Sequence, residues 1–215
     1  MAAMRVEYVA FDERAARSHY IAERFRPYME TSLLDVGCDM GVMKTLLPDL
    51  DYTGVDIAGA PDLMLDLEEA DELPFRDGAF HCVLCSDVLE HLDNLHVIFG
   101  EMVRVASRHV IVSLPNNWAN ARRAIHRGRG AVGHYGLPAE PPGDRHKWFF
   151  NLSEAVAFLH AQTERYPVKI VDLHVTEKPR PLAVRWLRRL LYPAQERYLN
   201  RYARTVWAVY EKNGA

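Results

Sequence analysis

Apolar and polar positions change their period several times along this 215-residue chain, and each change predicts an element. Over residues 11–29, Ala15, Ile21, Ala22 and Phe25 fall on one side of a helix and Glu13, Arg17, Glu23 and Arg24 largely on the other, which predicts an amphipathic helix. The apolar run Leu33-Leu34-Asp35-Val36 ends in Gly37 and Gly41 and reads as a buried strand turning sharply into a helix at 42–47, which Pro48 stops. Asp51–Asp56 predicts a second strand, 63–67 a brief third, and the apolar Phe80–Ser86 a buried central one. Leu92, Leu95, Ile98, Phe99, Met102, Val103 and Ala106 recur at helical spacing, and 108–114 is a fifth strand ended by Pro115. Asn151 and Glu154 form a capping box ahead of a helix whose buried stripe is Leu152, Val156 and Leu159. Residues 168–175 and 205–210 alternate as the last two strands. Strands separated by helices predict an α/β chain with a doubly wound, mostly parallel sheet in a single domain over 1–215.

Two stretches interrupt this rhythm. Residues 116–144 are rich in Arg, Gly and Pro, follow the fifth strand, and read as a structureless lid. The cluster Asp144-Arg145-His146-Lys147-Trp148-Phe149-Phe150 closes it and reads as a wall of an acceptor pocket, so that about 116–150 forms one insertion. The other stretch, 179–204, sets Trp186, Leu187, Leu190 and Leu191 against Arg185, Arg188 and Arg189. It predicts a basic amphipathic helix broken at Pro193, packed on the domain, on a dimer mate or on an anionic membrane surface.

Chemistry gathers at the first turn. Glycines at 37 and 41 allow positive φ and leave bare backbone for a ligand, next to the unpaired N–H groups that start the following helix. Asp56 ends the second strand, the position from which such a sheet offers a carboxylate to ribose hydroxyls. Asp39 stands where a dinucleotide fingerprint needs its second glycine, and a carboxylate there repels a pyrophosphate, which argues against NAD.

These motifs, with Asp66-Leu67, Leu73-Pro74-Phe75, Ser86-Asp87-Val88-Leu89-Glu90-His91 and Ser113-Leu114-Pro115-Asn116, resemble the class I S-adenosylmethionine-dependent methyltransferases, in particular small bacterial ones. The likeness is close over 33–114 and loose elsewhere. It implies a seven-stranded Rossmann-like sheet whose last strand is antiparallel. It also implies S-adenosyl-L-methionine as cofactor, with Asp35, Gly37, Cys38, Asp39 and Gly41 at its methionine end, Asp56 and Ile57 at the ribose, Asp66 and Leu67 at the adenine, and Ser86 and Asp87 near the cleft. Two positions depart from the family: Asp39 replaces a glycine, and His81 replaces the usual aspartate. Asp39 can pair with the cofactor's ammonium or oppose its carboxylate. The resemblance also makes Tyr20 a candidate for acceptor contact; the pocket-wall cluster adds Arg145 and Trp148, and Asn116 and Tyr135 are further candidates.

Methyl transfer is an in-line displacement, so positioning and exclusion of water matter most, and a hydroxyl acceptor also benefits from a general base. His91 and His146 are the candidates, with Asp144 to orient His146 or bind the acceptor. Composition narrows the setting. A formal charge of −3 supplies no global attraction for polyanions, which disfavours nucleic acid. Cys38, Cys82 and Cys85 suit free thiols in a reducing cytosol, and no Zn-type spacing appears, so no metal is expected. The N-terminus Met1-Ala2-Ala3-Met4-Arg5 lacks the apolar core of a leader, and a cytoplasmic monomer or homodimer is expected. The leading reading is O- or N-methylation of a small molecule or glycan. The alternatives are a tRNA or protein methyltransferase, and a binding protein that has lost turnover.

Overall fold

Period-two alternation sorts the strand side chains onto two faces, and each face is closed by helices. In the computed structural model, which describes residues 4–11 and 13–214 except the side chain of Arg14, Cys82 and Leu84 of one strand pack with Phe25, Met43 and Trp207. Their neighbours Val83 and Cys85 point the other way, toward Ile98, Phe99, Met102 and Leu159. This is the doubly wound arrangement expected from the pattern. The leader reading at Met1–Ala3 and the helical reading at Asp12 lie outside the described residues.

In chain order the elements are β1 (Arg5–Tyr8), α1 (Arg14–Arg24), β2 (Ser32–Val36), α2 (Val42–Leu46), β3 (Asp51–Asp56), β4 (Leu63–Met64), β5 (Phe80–Ser86), α3 (Leu95–Val105), β6 (Ala106–Pro115), α4 (Asn117–Arg127), α5 (Leu152–Arg165), β7 (Val168–Glu177), α6 (Leu182–Leu191), α7 (Gln195–Tyr202) and β8 (Ala203–Lys212). The sheet runs β1-β7-β8-β6-β5-β2-β3-β4. β8 is antiparallel to both β6 and β7, and the other pairings are parallel. The carboxyl ends of β2 to β6 therefore line one edge, where ligands of such sheets bind.

Three elements differ from expectation. The sheet has an eighth strand, β1, because Arg5–Tyr8 adds to the edge of β7 and keeps its charged side chains in ion pairs rather than in an apolar run. The helix expected over 11–29 stops at Arg24, since Pro27 admits only a tight 3-10 turn after it. The stretch expected to be structureless from 116 opens with α4, whose first turn is capped by the Asn116 side chain and whose end is the left-handed Gly128. Asn116 is fully buried, and its amide nitrogen donates to the carbonyls of Leu199, Asn200 and Ala203. It is a structural residue, not an acceptor contact, because its oxygen caps α4 and its nitrogen ties α4 to the end of α7, which uses every polar atom of its side chain.

Tyr20 is likewise tied inside. Its hydroxyl donates to Glu7 at 2.7 Å and meets His174 at 2.9 Å, while its ring packs on Phe25 and Trp207. The same edge holds Arg24 and Arg5 on Asp172. Burial pushes the Asp172 carboxyl up, but its bonds to His174 and Arg24 outweigh burial and hold it well below its ordinary 3.8. A carboxyl depressed in the folded state stabilises fully above its unfolded value and loses that contribution as pH falls below it. Thermal unfolding of Asp172→Asn at neutral pH is expected to show a loss of about 1–3 kcal/mol, with each kcal/mol worth about 2–4 °C at this chain length. The variant should also lose less stability than the wild type between about pH 4 and lower values.

Candidate active site

The turn after β2 is shaped by its backbone. Gly37 has φ +79°, and a Cβ there would lie 2.2 Å from the Val88 side chain, so no other residue fits. Asp39 is left-handed too, at φ +50°, which aspartate tolerates better than most residues. Asp56 at the tip of β3 holds the turn, accepting the Asp39 N–H at 2.7 Å on one oxygen and the Ala58 N–H at 3.1 Å on the other. The Ala60 N–H returns to the Asp39 carbonyl at 2.8 Å.

Around this turn the expected cofactor residues take distinct places. Asp35 is buried, bonded by the Tyr52 hydroxyl at 2.9 Å, and pushed up to about 7 by burial. The Cys38 thiol packs inward against Gly54 and burial raises it to about 12, so only the main chain of that residue faces the turn. All three cysteines are buried free thiols. Ile57 follows Asp56 with its apolar side chain 59% exposed, and Asp66 is exposed at the end of the next segment, with one oxygen on the Glu68 N–H. Leu67 is buried, its carbonyl accepting from Asn94. Ser86 meets Ser113 at 3.1 Å, and the left-handed Asp87 accepts from Ser113 at 2.6 Å and pairs with Arg17 of α1 at 2.8 Å. A turn with glycines at both ends, carboxylates on successive strand tips and an exposed aliphatic between them suit an adenosyl group with a charged amino-acid end.

Beyond β5 the lid folds back on the turn that carries His91. Lys147 N–H donates to the Glu90 carbonyl at 2.9 Å, Trp148 Nε1 to the Leu92 carbonyl at 2.7 Å, and the Lys147 ammonium pairs with Glu68 and Asp93. Asp144 bonds His91 at 2.8 Å and His134 at 3.4 Å. It orients His91 and not His146, because the lid brings its carboxylate to the strand-tip turn. His146 packs between His91 and His134, each ring centroid 4.4 Å away, and bonds Tyr135 at 3.1 Å. Burial lowers both His91 and His146, the latter to about 4 with the neighbouring imidazoles adding to it, so both rings are neutral at pH 7. Neutral imidazoles accept a proton or give a lone pair to a cation. Arg145 points to solvent, while Trp148 is 40% exposed and walls an adjoining cavity of about 190 Å³ with Leu89, Phe150 and Phe158.

Two members of this cluster were not foreseen. Glu90 is 1% exposed beside His91, and its only signal was its adjacency to His91 three residues after Asp87. His134 sits among the lid glycines with no periodic pattern to mark it.

A family model described as "Methyltransferase domain" matches residues 6–161. The chain belongs to this methyltransferase family. No curated protein matches its sequence. Among solved structures, it is similar to a SAM-dependent methyltransferase from Archaeoglobus fulgidus at 17% identity and TM-score 0.55, covering 94% of this chain and 95% of that one. The magnesium protoporphyrin IX methyltransferase of Synechocystis, solved with bound SAH, matches at 14% identity and TM-score 0.53, covering 91% and 82%. The small RNA methyltransferase HEN1 matches at 18% identity and TM-score 0.59 over 100% of this chain but 27% of that one. At these identities the likeness is one of fold.

Family membership and the strand-tip turn together make S-adenosylmethionine the cofactor of this methyltransferase. Asp56→Ala is expected to weaken S-adenosylmethionine binding by more than about ten-fold, about 1.4 kcal/mol, through loss of the carboxylate at the β3 tip and of the turn it braces. Calorimetric titration with an unchanged dissociation constant would remove Asp56 from the ribose site.

Proposed function

We propose that this methyltransferase carries a methyl group to an oxygen or nitrogen of a small-molecule or glycan acceptor enclosed between the lid and the β5 turn. The observation that supports this most is the lid itself, bonded to Glu90, Leu92, Glu68 and Asp93 so that it roofs the imidazole cluster. Such a roof excludes water from a reaction whose main requirement is alignment. When bound, S-adenosylmethionine supplies a methyl carbon activated by its sulfonium. The chain's part is to hold the nucleoside on Asp56 and Asp66, to present the acceptor's polar end to Glu90, His91 and His146, and to give its apolar part the cavity under Trp148 and Phe150. Asp144 keeps the His91 ring in one orientation.

The surface beyond β6 supports an acceptor met at an anionic membrane. α6 is turned inside out: its arginines lie inward, Arg185 over the Tyr8 ring, Arg188 over Tyr202 and Arg189 over Tyr198. Its apolar side chains face out, Leu182 76%, Trp186 69%, Leu190 62% and Leu191 64% exposed. Beside it a cleft of about 170 Å³ gathers Arg122, Arg123, Arg180, Arg188, Arg201 and Arg204 around a single carboxylate, Glu177. An exposed apolar ridge next to concentrated positive charge complements the boundary of acyl chains and anionic headgroups. No helix among the described residues is long and apolar enough to cross a membrane, so the contact is peripheral.

A transfer assay with labelled S-adenosylmethionine against glycan, lipid-linked, RNA and protein fractions tests the acceptor class, and label confined to RNA or protein overturns it. His91→Ala should lower kcat at least about 100-fold with the affinity for S-adenosylmethionine unchanged. The double variant Trp186→Glu/Leu190→Glu should lose at least about ten-fold in sedimentation with phosphatidylserine vesicles, about 1.4 kcal/mol. A wild type that ignores vesicles and doubles in mass with concentration assigns the ridge to a second copy instead.

A further inference from the structure

Three side chains meet beneath the lid with their potential ligand atoms turned toward one another. Tyr135 has one hydroxyl hydrogen, which it gives to the Trp148 carbonyl at 2.5 Å. At its 3.1 Å contact with His146 Nδ1 it therefore accepts, so that nitrogen carries the hydrogen and the lone pair of His146 is on Nε2. His91 is held in the same tautomer, because its Nδ1 donates to Asp144 at 2.8 Å. Its Nε2 lies 3.9 Å from Glu90 Oε1. Glu90 is 1% exposed, and its Oε2 has no hydrogen-bond partner. The ligating atoms of Glu90, His91 and His146 all lie within 4.8 Å of one another. Lone pairs crowded together in a partly buried site favour a positive group between them.

We propose that Glu90, His91 and His146 form the binding site of a first-row divalent transition-metal ion such as Zn²⁺, Mn²⁺, Fe²⁺ or Co²⁺. Two imidazoles and one carboxylate are a donor set that these ions take while leaving coordination positions open, whereas Mg²⁺ favours an all-oxygen octahedron. Each histidine already has the outer partner that ligating histidines need, Asp144 for His91 and Tyr135 for His146. With metal–ligand bonds of about 2.0–2.2 Å, two ligand atoms stand at most about 4.4 Å apart, so His146 on the lid settles inward by a fraction of an ångström. The ion lies beside the β5 tip, on the acceptor side. A hydroxyl taken onto its open positions gives up its proton to solvent more readily. That use rests on the acceptor reading above, whereas metal binding does not.

The test is titration of Co²⁺ into the chelator-treated full chain, with neither cofactor nor acceptor present, followed by its visible absorption and by metal content after gel filtration. One equivalent per chain is expected, displaced by Zn²⁺ and left in place by a comparable concentration of Mg²⁺. Tyr135→Phe should weaken binding by roughly 10–100-fold as an outer partner, and His146→Ala and Glu90→Gln by at least about 100-fold. His126→Ala, an exposed histidine outside the cluster, should change nothing. Absence of wild-type binding, or binding that His146→Ala leaves intact, overturns the proposal. Because His146 sits on the lid rather than in the core, its variant keeps the test sound even where Glu90→Gln fails to fold. Absence of methyl transfer to any glycan or small molecule would sink the acceptor reading and leave a measured metal site standing.

Discussion

Both oxygens of Asp56 accept main-chain N–H groups, one from Asp39 in the turn after β2 and one from Ala58 just past β3. That double bond to backbone fixes where two strand tips stand relative to each other. The turn over residues 37–41, with Gly37, Asp39 and Gly41 left-handed, is held by this brace together with the Gly37 and Cys38 N–H groups on the Val55 carbonyl and the Gly41 N–H on the Cys38 carbonyl. The groups around the turn follow from this brace: the exposed Ile57, the tip carboxylates and the helix start at Val42 all take their positions from it. It also explains how Asp39 is tolerated in place of a glycine, because its main chain carries the bonds that matter, N–H to Asp56 and carbonyl to Ala60.

The other half of the site depends on hydrogen-bond direction. Asp144 and Trp148 reach from the lid to His91 and Leu92 after β5, while Tyr135 links His146 to the Trp148 carbonyl within the lid, and together they decide which imidazole nitrogens carry protons. Tautomer control of this kind requires a lid that is anchored, and the Lys147 pairs with Glu68 and Asp93 supply the anchor at the far wall. The segment that covers the β5 turn therefore also sets the orientation of the imidazoles beneath it.

At the opposite end of the sheet, burial and charge exchange their usual places. The arginines of α6 lie over tyrosine rings while its leucines and tryptophan meet solvent. Cation–π contact lets a guanidinium cover an aromatic surface that leucine would otherwise cover, which frees the apolar face for another surface.

The sequence by itself determined the order of strands and helices, the glycine turn, the strand-tip acids and the family, because each is written in local spacing: period two, period 3.6, or a motif within a few residues. Its limits fall where spacing is silent. β1 has only four residues and an edge position, and α4 hides in a composition rich in Arg and Gly although Asn116 and Gly128 mark its ends. Tyr20 and Asn116 looked available and are spent on internal bonds, which no one-dimensional pattern records. Only the tertiary structure could place Glu90 and His91 against His146, 55 residues later, turn Asp144 to His91, and point α6 outward. Those outcomes depend on how a glycine-rich loop and a late insertion settle on the sheet edge, and contacts between residues far apart in the chain are set by packing, not by period.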